Sequence, residues 1–157
     1  FERGGCTGGN GARKVALQRV RKLAESTALD AGTVAEDPAF KRQLEEAEVQ
    51  LEAIQYTEFR LMASLSKGQN PGPESSVMKA LSAKMQQQIS ELAVIATGHY
   101  AGVHQPEART VGSNAAMIGP DAGAMAFTNY FNFRASSIAG GSDEVQRNIM
   151  AKLVLGL

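Results

Sequence analysis

The stretch AGGSDEV, residues 139–145, places Gly140 and Gly141 directly before a serine and two acids. Ser142 can cap a helix by accepting from an amide two or three residues on, and Asp143 and Glu144 then fall in the first turn, where negative charge suits the helix dipole. A plain helix start explains those three residues without needing two glycines. Paired glycines ahead of a helix N-terminus also expose backbone amides to an anion and let a ligand approach the chain. On these residues alone, a helix start and a site for a phosphate-bearing ligand both stand. The opening FERGGCTGGNG carries five glycines in eleven residues. It reads as a loose leader or as a helix start whose backbone lies close to something. Other chemistry has little to draw on. Cys6 is the only cysteine and there are two histidines, too few for a nitrogen/sulfur metal site. His99 and His104 fall at or just past a helix end with no nucleophile elbow beside them, which argues against Ser-His-Asp or Cys-His catalysis.

These groups must be positioned by helices, because no stretch alternates with period two long enough to form a strand. A helical pattern runs from Ala12 to about Leu29, with Val15, Val20 and Leu23 among basic residues. Gly32 ends it. Asp37-Pro38 then supplies a cap followed by proline at the first helical position. Phe40, Leu44, Ala47, Leu51 and Ile54 step by four and three, and Leu61 and Leu65 continue the seam. That predicts a helix on the order of 40 Å long at 1.5 Å per residue. KGQNPGPESS stops it. A third helix is expected from about Glu74 to Tyr100, striped by Val77, Leu81, Met85, Ile89, Leu92 and Ala96. Residues 101–120 read as a long loop, of a length that is often functional or mobile. A fourth helix, Asp121 to Ser137, is rich in aromatics. A last one, about Ser142 to Leu155, has Val145, Ile149, Leu153 and Val154 on or near one face. The expected fold is an all-α, up-down bundle with two long central antiparallel helices.

The chain has 157 residues, the size of one domain, and can bury a real core without staples. Sixteen basic residues balance sixteen acidic ones, so charge gives no ground for a nucleic-acid or anionic-membrane partner. No stretch approaches the roughly 20 apolar residues that a membrane helix needs. With a single cysteine and no signal peptide, a cytoplasmic location is expected. The first residue is Phe1 rather than Met, which suggests one domain, residues 1–157, of a longer chain. The aromatic cluster Phe127, Tyr130, Phe131 and Phe133 reads as core or interface packing. Gln86–Gln88 reads as a solvated face or a helix–helix contact, and Arg13, Lys14, Arg19, Arg21 and Lys22 as a solvated basic face.

The whole terminal string, RASSIAGGSDEVQRNIMAKLVLGL, resembles the C-terminal signature of the acyl-CoA dehydrogenases, Ile-x-x-Gly-[Thr/Ser]-x-[Glu/Gln]-[Ile/Val]-Gln-Arg. Ile138, Gly141, Ser142, Glu144, Val145, Gln146 and Arg147 fall on it, and Asn148, Ile149 and Ala151 continue it. PGPESSVMKALSAKMQQQISELAVIATG is similar to the family's third long helix, and FERGG to the opening of the domain's first helix. The resemblance implies the all-α C-terminal domain of an FAD-dependent enzyme that dehydrogenates an acyl-CoA thioester and passes electrons to an electron-transfer flavoprotein. It also implies a homo- or hetero-oligomer formed through the helical domain.

In most members the catalytic carboxylate immediately precedes the glycine of the terminal turn, where this chain has Gly140. A minority carry the base in a Glu-Arg pair on the first helix, and Glu2-Arg3 matches that placement. The resemblance therefore implies Glu2 as the base and Arg3 as the group that orients it or the substrate. It further implies Gly140 against the acyl-CoA, and Gly141, Ser142 and Glu144 against the flavin dinucleotide. An α proton beside a thioester is a weak acid, and a desolvated carboxyl with a raised pKa is a suitable base near neutral pH. Two departures bear on the cofactor. The family's Arg-x-x-Phe-Gly motif is replaced by Ala31, Val34 and Ala35, and its Gly-Gly-x-Gly turn by Gly98 and Gly102 alone. An anionic pyrophosphate without its arginine loses a contact worth about 1.5–3 kcal/mol. A related expectation is an assembly subunit whose flavin contacts come from an unlike partner.

Overall fold

The computed structural model describes residues 9–69, 72–107 and 110–157. They form five α-helices: α1 Asn10–Ser26, α2 Pro38–Ser66, α3 Glu74–Thr97, α4 Ala126–Phe133 and α5 Asp143–Met150. Short 3₁₀ turns flank α4, and a π-turn, Ala151–Leu155, extends α5. The described residues contain no strand, only an isolated bridge between Ala28 and Thr33.

α2 follows its sequence pattern. The Asp37 carboxylate accepts from the Phe40 amide at 2.8 Å, with Pro38 opening the helix. Phe40, Leu44, Ala47, Leu51, Ile54 and Leu61 are buried along one seam. Burying each of the larger of these side chains stabilises the fold by roughly 1.5–3 kcal/mol. The seam also contains a charge, since Glu58 is buried and accepts from Asn10 Nδ2 at 2.6 Å.

α1 runs antiparallel to α2. Asn10 meets Glu58, Lys14 meets Glu52, and Arg21 meets Glu48, so one numbering rises as the other falls. Lys14 and Arg21, expected on a solvated basic face, thus bridge two helices. The helix ends at Ser26, three residues before the expected end, because Thr27 is extended and its hydroxyl bonds back to Leu23 O. Gly32 serves the tight turn that follows, with the Leu29 amide bonded to Gly32 O. Leu17, Val20, Leu23 and Ala24 make the inner face, whereas Val15 points outward at 47% exposure.

α3 departs most from its pattern. It packs against α1, α2, α4 and α5, so no single stripe describes what it buries. Leu81, expected inside, is 40% exposed, while Met78, Ser82, Ala83 and Lys79 are buried between other helices. It stops at Gly98, and the remainder of the expected helix, to Tyr100, winds as a 3₁₀ turn over Gly98–Gly102. The long loop then closes on itself: Gln105 donates to Ile118 O at 2.9 Å and accepts from the Ile118 amide at 2.7 Å. The C-terminal segment returns antiparallel to α3, with Gly123 beside Thr97, Arg134 beside Gln87, and Asp143 beside Lys79.

Candidate functional site

The terminal turn is built from both sides. On its N-terminal side, a 3₁₀ turn, Arg134–Ser137, is clamped to α3. Arg134 donates to Gln87 O at 3.0 Å and to Ser90 Oγ at 3.3 Å, and its guanidinium lies 4.4 Å over the Tyr130 ring. Gln87 returns the contact through its Nε2 to the carbonyls of Phe133 and Arg134. Of the two expectations for Gln86–Gln88, Gln87 fulfils the helix–helix contact. On the C-terminal side, Ser142 caps α5 by accepting from the Val145 amide at 3.4 Å.

Between them the chain passes through Gly140 at φ +73° and Gly141 at φ +98°. L-residues rarely adopt such angles. The helix start therefore does require two glycines, which the sequence-based account of the cap left out. The two positions differ in their surroundings. A Cβ on Gly140 would meet nothing within 4 Å, whereas one on Gly141 would lie 2.7 Å from Gln146 Nε2. Gln146 is buried behind the turn and donates to Gly140 O at 3.3 Å.

Gly140, Gly141, Ser142 and Glu144 are thus contiguous on one turn at the α5 N-terminus, with both glycines exposed. The first-turn amides of a helix have no intrahelical partner, and the helix dipole adds positive potential there. The Glu144 carboxyl is held below its ordinary range by its own backbone amide and by the Ser142 hydroxyl, with Arg147 assisting. Asp143 is engaged by Lys79 of α3 at 3.0 Å, and Lys79 also donates to Ser137 O at 3.1 Å. The arrangement can receive an anionic or backbone-hugging ligand on its open, glycine side.

Glu2 and Arg3, the expected base and its neighbour, lie outside the described residues. Ala31 is exposed on the connection between α1 and α2, Val34 is buried in the core, and Ala35 packs against it. The sequence reading gave no role to Lys79 or Arg134, and it gave Gln146 only as part of the terminal signature. For Lys79 a signal existed: the residues three and four away, Ser75, Ser76, Ser82 and Ala83, include no acid, so the charge has no partner on its own helix. The aromatic cluster is packed internally, with Phe127 and Phe131 at 4.7 Å edge to face, yet Phe131 is 59% exposed. Of the apolar face expected on the last helix, Ile149 is half-buried, whereas Val145 is 50% exposed and Leu153 and Val154 are more so. Among the described residues, no helix is long and apolar enough to cross a membrane.

Residues 1–155 match the family described as acyl-CoA dehydrogenase, C-terminal domain. Among solved structures, the ChsE4-ChsE5 complex from Mycobacterium tuberculosis is similar, with a TM-score of 0.72, 21% identity and coverage of 94% of this chain and 36% of the other. An FAD complex of PigA gives 0.73, 17% identity and coverage of 94% and 34%. Butyryl-CoA dehydrogenase from Megasphaera elsdenii gives 0.70, 14% identity and coverage of 93% and 33%. The chain therefore spans about a third of the length of these structures, and the likeness is one of fold. No curated protein matches the chain by sequence.

Proposed function

The chain belongs to the acyl-CoA dehydrogenase family, as its C-terminal domain, and from that premise we propose that it serves an FAD-dependent α,β-dehydrogenation of an acyl-CoA thioester. In this reading residues 1–157 are one domain of a longer enzyme. Glu2 takes the α proton of the thioester, and Arg3 holds the Glu2 carboxylate or the acyl group in line. FAD, when bound, would supply the acceptor for a hydride from the β carbon, which with the proton taken by Glu2 balances formation of a trans-2-enoyl-CoA. The electrons then pass to an electron-transfer flavoprotein. Gly140 would contact the acyl-CoA, and Gly141, Ser142 and Glu144 would hold the dinucleotide.

The observation that carries the reading is the turn at residues 138–142. Its backbone is exposed, it leads into a capped helix N-terminus, and the space where a Gly140 side chain would stand is open. A ligand can therefore come as close as the main chain allows, with the helix dipole behind it. Residues at this turn fit a nucleotide-bearing cofactor, although Ala31 offers no cation from the α1–α2 connection.

A second reading, a non-catalytic or half-site subunit of a heteromer, draws on two observations. Ala31 cannot replace an arginine, and α4 and α5 leave Phe127, Phe131, Val145, Leu153 and Val154 exposed. In either reading those side chains are covered in a homo- or hetero-oligomer, since exposed large apolar side chains are stabilised by burial at an association surface.

The test is the visible absorbance of the intact protein before and after anaerobic addition of a panel of acyl-CoAs. A flavin band that one of them bleaches, with bleaching lost in Glu2→Gln while FAD stays bound, is the expected result. Normal bleaching by Glu2→Gln removes Glu2 from the role of base. Absence of flavin after reconstitution favours the second reading.

A further inference from the structure

We propose that Lys79 is a positioning residue for the candidate site, holding the Gly140-Gly141 turn in place from α3. The proposal rests on the reading of that turn as the flavin and acyl-CoA contact. Lys79 is only 8% exposed. A buried ammonium is strongly destabilising unless it is paired and hydrogen-bonded. Its two partners stand on opposite sides of the turn: Ser137 O, at 3.1 Å, closes the 3₁₀ segment, and Asp143 Oδ1, at 3.0 Å, opens α5. One cation thus ties together the two ends of the five-residue stretch Ile138–Ser142.

The other fixtures of that stretch are local: the Ile138 and Ala139 amides bond to Ala135 O and the Gly141 amide to Ile138 O, all within the C-terminal segment. Ile138, Ala139, Gly140 and Gly141 are exposed, and two consecutive glycines give the backbone the widest freedom available. Gln146 holds the middle of the turn through Gly140 O, but it belongs to α5 and moves with it. Among the described residues, Lys79 is the one side chain outside the C-terminal segment that hydrogen-bonds to residues 137–143. α3 is the helix around which the others pack, so the tie refers the turn to the most constrained element of the fold.

Charge supplies a second consequence. Asp143 and Glu144 both lie in the first turn of α5, where two negative charges oppose an anionic ligand at the amides. Pairing with Lys79 cancels one of them. A neutral residue at position 79 would both loosen the turn and restore the repulsion.

The experiment compares the intact protein with Lys79→Met, Lys79→Arg and Asp143→Asn by amide exchange over residues 138–146 and by FAD affinity after reconstitution. For Lys79→Met, exchange at the Gly141, Val145 and Gln146 amides should speed up by at least about tenfold while α2 is unchanged. FAD affinity should fall at least about tenfold. Lys79→Arg should recover part of both, as a purely apolar packing role would not. If Lys79→Met does not fold, Asp143→Asn, which keeps the shape and breaks the ion pair, carries the exchange reading by itself, because it also removes a negative charge beside the ligand and so does not test the affinity. Unchanged exchange overturns the proposal, and so does faster exchange with unchanged FAD affinity. If the unsubstituted protein takes up no FAD, the functional reading fails, and the exchange rates alone decide whether Lys79 holds the turn.

Discussion

Alanine at the two turn glycines separates backbone strain from crowding. At Gly140, φ is +73° and the Cβ direction is empty, so the cost of Gly140→Ala is conformational. A left-handed L-residue costs about 1–2 kcal/mol. Alanine also reduces the entropy of the unfolded chain, which returns about 0.4–1 kcal/mol. The net loss is then about 1 kcal/mol. Gly141→Ala carries at least that strain, since φ +98° lies further outside the left-handed region, and in addition brings a Cβ to 2.7 Å from Gln146 Nε2. That amide must withdraw, breaking its bond to Gly140 O, for a further loss of about 1 kcal/mol. Gly141→Ala should therefore cost at least about 2 kcal/mol, twice the cost at Gly140 or more. The assay is urea unfolding of the intact protein followed by far-UV circular dichroism, with the slope checked for constancy. Adding Gln146→Ala empties the space the new methyl needs, so the double variant should be about 1 kcal/mol more stable than additivity predicts. Equal costs at the two glycines, or a strictly additive cycle, would refute the assignment of Gln146 as the wall behind the turn.

Two further outcomes follow from the same helix ends. Glu144 has a depressed folded-state pKa, so its small contribution to stability is present above its unfolded pKa and is lost as pH falls through the folded value. Its titration, followed by NMR, should move upward toward the ordinary carboxylate range in Ser142→Ala; an unmoved titration would show that the Ser142 hydroxyl does not hold it. At the other end of the fold, Asp37→Ala removes the acceptor for the Phe40 amide and should cost about 1 kcal/mol in the same urea assay, with Asp37→Asn recovering most of it.

The legibility of each element depended on how many neighbours it has. α2 was readable because one of its faces is buried and the others meet water, so apolar spacing translated into a seam from Phe40 to Leu61. α3 was readable as a helix but not in its packing, because four helices surround it and burial there ignores a single stripe. The residues of the terminal turn were identifiable because cap chemistry and glycine are local signals: Ser142, Asp143 and Glu144 act within one turn of themselves. The fixtures of that turn were not identifiable, since Lys79 acts across 58 and 64 residues and Arg134 across 44 and 47.

By itself the sequence determined the helical class, the caps at Asp37 and Ser142, and the run Ile138–Arg147 that carries the family resemblance. Each of these rests on residues within a turn or two of one another. Tertiary structure alone decided that both glycines take positive φ, that Val145, Leu153 and Val154 face outward, and that a buried lysine on α3 joins the two ends of the turn. Those outcomes depend on what lies across the bundle, where periodicity along the chain carries no information.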